Sequence, residues 1–421
     1  MTAYWPSAWP GEDGGPTRRQ MPRTGAGPGI GPGDRLEVTH RLAPLVTMVV
    51  LRRPGEVFLL RHSAGDGAFA LVERIDPHSL EPQASSPELP GGPVWPGGLA
   101  AHGNGSLYVV FGEHAHRLDD DLQVLASRRL PRSLPYNSFV LLPDGYLVTK
   151  DFAGSRPGVP IAAADRRRSE LLVLDPEHLG IAARLELPEP SVARLSTDGN
   201  AVYAVGDTSL LRVHWDGTSL CLDDDFRAPY RTLEGQTYGW DCVLEDGAAW
   251  FLDDGDGSER YSGTLRGHGV SSAPLHLVRV DLASAAVTTT EVCGLPGGLV
   301  ANPPVLDAER RMAVAYDSGN GVLVGFGIGA DGHCTPAWSR RQNHASHLLL
   351  FADTGELLTG DHDPERNAEQ ALILDITTGR ERARADTGSP VQSVLFPAPG
   401  FGRDFYTCSF TTVSRLAVVS A

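Results

Sequence analysis

No stretch of this 421-residue chain approaches the roughly 18 consecutive apolar residues that a helix needs to cross a bilayer, so no helical membrane span is read. Residues 1 to 33 hold no apolar run followed by a cleavage site, so no secretory signal is read either and a cytoplasmic location is expected. Cysteine is sparse. Cys221, Cys242, Cys293, Cys334 and Cys408 form no CxxC pair and are odd in number, which points to reduced, mostly buried thiols rather than to zinc or redox chemistry. Positive charge is also short: 36 Lys and Arg stand against 52 Asp and Glu, and the net charge of -16 opposes a phosphate backbone or an anionic membrane. Nucleic acid and membrane are therefore not expected as partners. There is no GxSxG, HExxH or P-loop, and the glycine pairs at 97–98 and 297–298 do not lead from a strand into a helix, so no nucleotide is expected.

What the chain does have is a repeat. Tyr136 to Asp151 (YNSFVLLPDGYLVTKD) is an apolar run, a Pro-Asp-Gly turn and a second apolar run ending in an acid, the pattern of a β-hairpin. Tyr238 to Asp253 (YGWDCVLEDGAAWFLD) repeats it, and looser copies stand at 49–60, 99–112, 193–207, 302–317, 348–361 and 393–410. Third and fourth strands are readable between hairpins, as in SELLVLDPEHLGIAARLELP at 169–188 and FALVERIDPHSLEPQASSPELP at 69–90. Four short strands per repeat, with Asp-Gly turns and no long helical period, predict an all-β β-propeller of four-stranded blades. Eight blades are expected, seven being the alternative. Residues 34–40 read as a lone strand that completes the last blade and closes the ring, which removes free sheet edges. The propeller is then one domain over 34–421, and the Gly-, Pro- and Arg-rich residues 1–33 read as a flexible leader.

In a propeller, residues just before each first strand and just after each second strand gather around one mouth of the central channel, which is where chemistry is sought. Strand starts bring Asn137, Asp241, Asn302, His344 and His347 there; second-strand ends bring Asp151, Asp207, Asp253, Asp317 and Asp361, with His362 beside them. Converging carboxylates repel unless a cation lies among them or some take up protons; a metal is the economical answer, and oxygen donors suit calcium or magnesium better than iron, copper or zinc. A single aspartate at a strand end also often just caps its own turn. The run Asp254, Asp256, Ser258 begins like an EF-hand loop but has Leu265 where that loop needs a glutamate.

Given hairpins such as FVLLPDGYLVTKD and strands such as SELLVLDPEHLGIAARLELP, the chain resembles the superfamily of quinoprotein-like and lactonase-like β-propellers over nearly everything after residue 40. Gluconolactonase and paraoxonase-type members hold calcium in the channel with Asn, Asp and Glu, and Asn137, Asp241 and Asn302 stand at matching strand starts, with no counterpart for the glutamate. Carotenoid-oxygenase-type members hold iron with four histidines at inner-strand starts; only His344 and His347 are so placed, both in one blade. The adjacent cysteines and the tryptophan docking motif of pyrroloquinoline quinone (PQQ) enzymes are missing, so PQQ is not expected. The function expected from all this is an enzyme that hydrolyses or rearranges a lactone, ester or similar electrophile, its small-molecule substrate activated by a divalent cation on Asn137, Asp241, Asp253, Asn302 and Asp361. His344, His347 or His362 would act as general base. The alternatives are a non-catalytic scaffold for a protein or peptide partner, and an iron or copper oxygenase built on the histidines.

Overall fold

The computed structural model describes residues 3–23, 27–65, 67–153, 165–253, 273–299, 302–343, 347–390 and 396–420, with the side chain of Asn137 left aside. It is an eight-bladed β-propeller. Seven four-stranded antiparallel sheets follow one another along the chain; the first also takes a fifth short strand, Leu89–Gly92, against its third. The eighth sheet carries Arg35–Leu42 as its outermost strand, paired in register from Arg35 with Val419 to Leu42 with Thr412. The ring is thus closed as the lone N-terminal strand predicted.

Each hairpin read in the sequence is the inner pair of strands of one blade. The inner strands of blades 1 to 8 are Val46–Leu51, Gly98–Ala101, Tyr136–Leu141, Ser196–Asp198, Val243–Glu245, Val305–Asp307, Leu349–Phe351 and Phe396–Pro399. Second strands such as Leu107–Phe111, Ala248–Leu252 and Met312–Asp317 are buried at every residue, because both faces of a blade are covered by its neighbours. The core accordingly lies between blades. Leu99, Val109 and Phe111 of blade 2 pack on Val50, Phe58 and Leu60 of blade 1, and Trp250 and Leu252 of blade 5 pack on Ala313, Ala315 and Phe326 of blade 6.

One turn recurs on the outer side of the odd blades. Asp76, Asp175, Asp281 and Asp375 each open the turn between third and fourth strands, and each carboxylate accepts the N–H groups two and three residues on. The fifth residue is forced to positive φ: Leu80 (65°), Leu179 (58°), Ala285 (59°) and Gly379 (67°).

The N-terminal segment departs from the expectation of a flexible leader. Its described residues are built into the channel and touch all eight blades. Trp5 N–H donates to Ala101 O at 2.9 Å, and Trp9, Pro10, Pro16, Thr17 and Gln20 accept at their carbonyls from the N–H groups of Leu51, Ala101, Thr197, Leu244 and Leu350 at 2.7 to 2.9 Å. The Tyr4 hydroxyl receives Leu141 N–H, Gln20 Nε2 donates to Pro304 O, and Arg403 of blade 8 donates to Pro28 O. The physical reason is visible in the side chains. Tyr4 and Trp9 are buried, so the segment supplies apolar mass as well as backbone partners to inner strands that would otherwise line an empty bore.

Candidate functional site

The N-terminal segment reverses at a 3-10 turn, Glu12–Gly14, and presents Glu12, Asp13 and Arg18 to the residues that precede the inner strands. Asp13 sits at φ 51°. The turn is tight: a Cβ on Gly14 would lie 2.7 Å from Met21 O, and Gly14 itself has φ 85°. Arg18, 1% exposed, donates to Asp13 at 2.8 Å, to Glu12 at 2.9 Å, to Ser138 Oγ at 2.8 Å and to Leu195 O at 2.7 Å. Arg194, two residues before the inner strand of blade 4, lies 2.8 Å from Glu12 and 3.3 Å from Asp241. Asp241, two before the inner strand of blade 5, also accepts Arg194 N–H at 2.7 Å. His347, two before the inner strand of blade 7, puts Nδ1 3.2 Å from Asp13 Oδ1 and packs its ring on Phe396. Three blades and the N-terminal turn therefore meet in one buried cluster of three carboxylates, two guanidiniums and an imidazole.

The electrostatics separate the two neighbouring acids. Burial raises Asp13, but the hydrogen bond and charge of His347, with Arg18 and Arg194 behind it, outweigh burial and hold the carboxyl below the ordinary range. For Glu12 burial is the larger effect and pushes it upward against the pull of Arg18 and Arg194. Beside the cluster, Trp9, Glu12, Asp13, Met48, Arg194 and His347 line a cavity of about 20 Å³, room for about one water.

The other predicted residues are not drawn to this point. Asp253 is bonded by His276, through its backbone N–H at 2.6 Å and through Nδ1 at 2.6 Å. Asp361 accepts the N–H groups of Asn343 and His362 at 2.7 and 2.9 Å and lies 3.4 Å from Arg384. Asp151 pairs with Arg132, Asp207 with Arg166, and Asp317 receives Leu299 and Asn320. Of Asp151, Asp207 and Asp317, only Asp317 caps the turn that follows it, through Asn320 N–H; Asp151 and Asp207 are held by arginines instead. Asn302 is fully buried; its Nδ2 donates to Pro303 O, while Oδ1 has no partner among the described residues. His362 is buried with Nε2 3.3 Å from Asn367 Oδ1. His344 and the Asn137 side chain lie outside the described residues, as does the run 254–258. Among the described residues, no three His, Cys, Asp or Glu side chains come together in a way that would hold a metal ion. The donors Asp241, Asp253 and Asp361 each face a cationic or protonatable partner within the chain, so together they do not fit a divalent cation, and no step below is routed through one.

Sequence reasoning reached Asp241 and His347 as strand-start residues but missed Glu12, Asp13, Arg18 and Arg194. The available signal was aromatic: Tyr4, Trp5 and Trp9 are too many large apolar rings for a nine-residue stretch with nothing to pack on. A further group stands nearby. Lys150, the chain's single lysine, is buried, donates to Asp151 O and Ser191 O, and is lowered by burial to about 8.

No family model and no curated protein matches the chain. Solved structures do. BamB from Moraxella catarrhalis superposes with a TM-score of 0.55 at 12% identity, covering 90% of this chain and 100% of that one. The quinohemoprotein alcohol dehydrogenase from Comamonas testosteroni gives 0.65 at 10% identity, covering 98% of this chain and 80% of its own. A quinohemoprotein alcohol dehydrogenase from Pseudomonas putida HK5 gives 0.62 at 12%, with the same coverages. The class these likenesses define is the eight-bladed β-propeller. At such identities they show the fold alone.

Proposed function

We propose that the protein is a small-molecule enzyme whose acid–base group is the Asp13–His347 pair inside the channel, acting on an ester, a lactone or a similar electrophile. One observation carries this reading: a buried imidazole held through Nδ1 by a carboxylate, at the edge of a cavity with room for water and beside an arginine. Asp13 accepting from Nδ1–H fixes the tautomer and leaves Nε2 as the proton acceptor. A water that gives its proton to Nε2 can add to the substrate carbonyl, and the imidazolium then returns the proton to the departing alkoxide, so the base is regenerated. Arg194, which lines the same cavity, is paired with Glu12 and Asp241 and adds positive charge beside it.

The test is hydrolysis of p-nitrophenyl acetate and of δ-valerolactone, followed from about pH 5 to about pH 9. His347→Gln is expected to lower kcat about a hundredfold or more, and Asp13→Asn to lower it while moving the pH profile. A wild-type rate equal to that of His347→Gln would sink the reading. The scaffold alternative draws on a different observation, that the N-terminal segment fills the channel and leaves the rims as working surfaces. Against it, the exposed large apolar residues among those described, Leu42, Val124, Leu125, Leu233, Leu295 and Phe401, are scattered over blades 2, 4, 5 and 8 rather than gathered in one patch.

A further inference from the structure

On the face that carries the hairpin turns, arginines in one register stitch neighbouring blades together. Arg117, opposite Tyr108 in blade 2, reaches across to Glu177 O of blade 3 at 3.0 Å. Arg212, opposite Tyr203 in blade 4, reaches Leu282 O of blade 5 at 3.0 Å. Arg279 holds the same register opposite Trp250 in blade 5, yet among the described residues its guanidinium meets no carbonyl of blade 6. It lies over the Trp250 ring at 5.6 Å, and its one ion pair among the described residues is with Asp281 at 3.5 Å, a carboxylate that already accepts from Ser284. The seam opens there into a cleft of about 310 Å³. Gly332 borders it: its φ of 80° favours glycine, and a Cβ there would lie 2.9 Å from the Arg279 guanidinium carbon and press on the cation.

We infer that this cleft is a binding site, separate from the channel, for a small zwitterion of the α-amino-acid type with an apolar side chain. The guanidinium has unused donors in a planar fork, which a carboxylate fits in two places at once and so takes the role that a carbonyl plays for Arg117 and Arg212. Leu306, Ile328 and the Trp250 edge give the apolar wall. Glu245, Asp246, Glu309 and Arg311 also line the cleft; Glu245 pairs with Arg19 and Glu309 with Arg310, and Asp246 has no ion pair among the described residues. The Asp246 carboxylate suits a ligand that carries its own ammonium beside the carboxylate that Arg279 takes. The volume is at the lower end of small-ligand pockets, which fits one amino acid and not a peptide chain.

The experiment titrates the full-length protein, by calorimetry and by saturation-transfer NMR, with L-phenylalanine, with 3-phenylpropanoate lacking the ammonium and with phenethylamine lacking the carboxylate. L-Phenylalanine is expected to bind, each truncated compound at least tenfold more weakly, and Arg279→Gln is expected to abolish binding with an unchanged melting curve. Arg212→Gln, in the closed neighbouring seam, serves as control and should bind as the wild type does. The inference is overturned if the three compounds behave alike, whether all bind or none does, or if Arg279→Gln binds L-phenylalanine as tightly as the wild type.

Discussion

His276 and Asp253 are both buried, and their side chains meet at 2.6 Å. Burial alone would lower the imidazole, but the hydrogen bond and charge of Asp253 outweigh it and raise His276 above its ordinary value. A raised folded value means that the folded protein binds the proton more tightly than the unfolded chain. The stabilisation is therefore full below the unfolded value of about 6.5 and is lost as pH rises through the folded one. Asp253 is itself raised by burial, which has the same sign in a more acidic window. The wild type should accordingly lose melting temperature on going from mildly acidic to mildly alkaline buffer, and His276→Asn should show a flatter profile. Asp253→Asn should cost about 3 kcal/mol in chemical denaturation, because the histidine loses its buried partner. Identical pH profiles for wild type and His276→Asn would mean that the pair carries no proton-linked stability. At this scale the sequence is a partial guide. It offers Asp253 and Asp361 as second-strand ends; Asp253 directly follows its strand, Asp361 lies within the strand Glu356–Asp363, and neither position says which nitrogen faces the carboxylate. His276 lies 23 residues away from Asp253 and reaches it only because the third strand returns beside the second.

The repeated turn between third and fourth strands shows how much of an element is written locally. Asp76, Asp175, Asp281 and Asp375 open four turns of one geometry, in which the first residue donates to the carbonyl five on and the fifth residue donates back to the first. Leu80 and Leu179 accept positive φ because both side chains are fully buried, so packing offsets a backbone cost of about 1–2 kcal/mol. Ala285 has little burial to offset it. Ala285→Gly should therefore be neutral or stabilising by up to about 1 kcal/mol, since glycine removes the strain while losing one methyl. Gly379→Ala should do the reverse and more. Its φ is 67°, and the new Cβ would lie 2.5 Å from the Trp338 ring, whose Nε1 bonds Ile376 O across to blade 7 at 2.8 Å. A loss of about 2 kcal/mol or more is expected, and equal unfolding midpoints for the two variants would refute the account. The hairpins were legible because their Asp-Gly segments satisfy their own backbone. The blade count followed from them, and the closing strand at 34–40 followed from the need to remove sheet edges.

The N-terminal segment belongs to the scale of the whole molecule, and there local reading failed. Residues 3–23 bond their backbone partly in their own turns, as Gly14 to Gly11 and Gln20 to Asp13, and partly to inner strands around the ring; apart from Tyr4, Trp5 and Trp9, little in a Gly- and Pro-rich stretch signals the second set. The dependence runs both ways. Leu51, Ala101, Thr197, Leu244 and Leu350, on the inner strands of blades 1, 2, 4, 5 and 7, donate their N–H groups to the segment. Without it, each of these amides faces the bore, at about 1 kcal/mol apiece when left unpaired, and the buried sites of Tyr4 and Trp9 become cavities worth several kcal/mol more. Asp241 and Arg194 would also keep each other but lose Arg18 and Glu12, so the charge cluster under the proposed site comes apart with the fold's interior. A chain lacking residues 1–23 still has the Arg35–Leu42 strand that closes the ring, so it should remain a propeller with a softened centre. Hydrogen exchange read by mass spectrometry should then show lost protection in the peptides carrying those five amides and retained protection across the Arg35–Leu42 and Thr412–Val419 pairing. If the inner strands stay protected after the deletion, their amides have other acceptors, and the segment is a ligand of the channel rather than a part of its core.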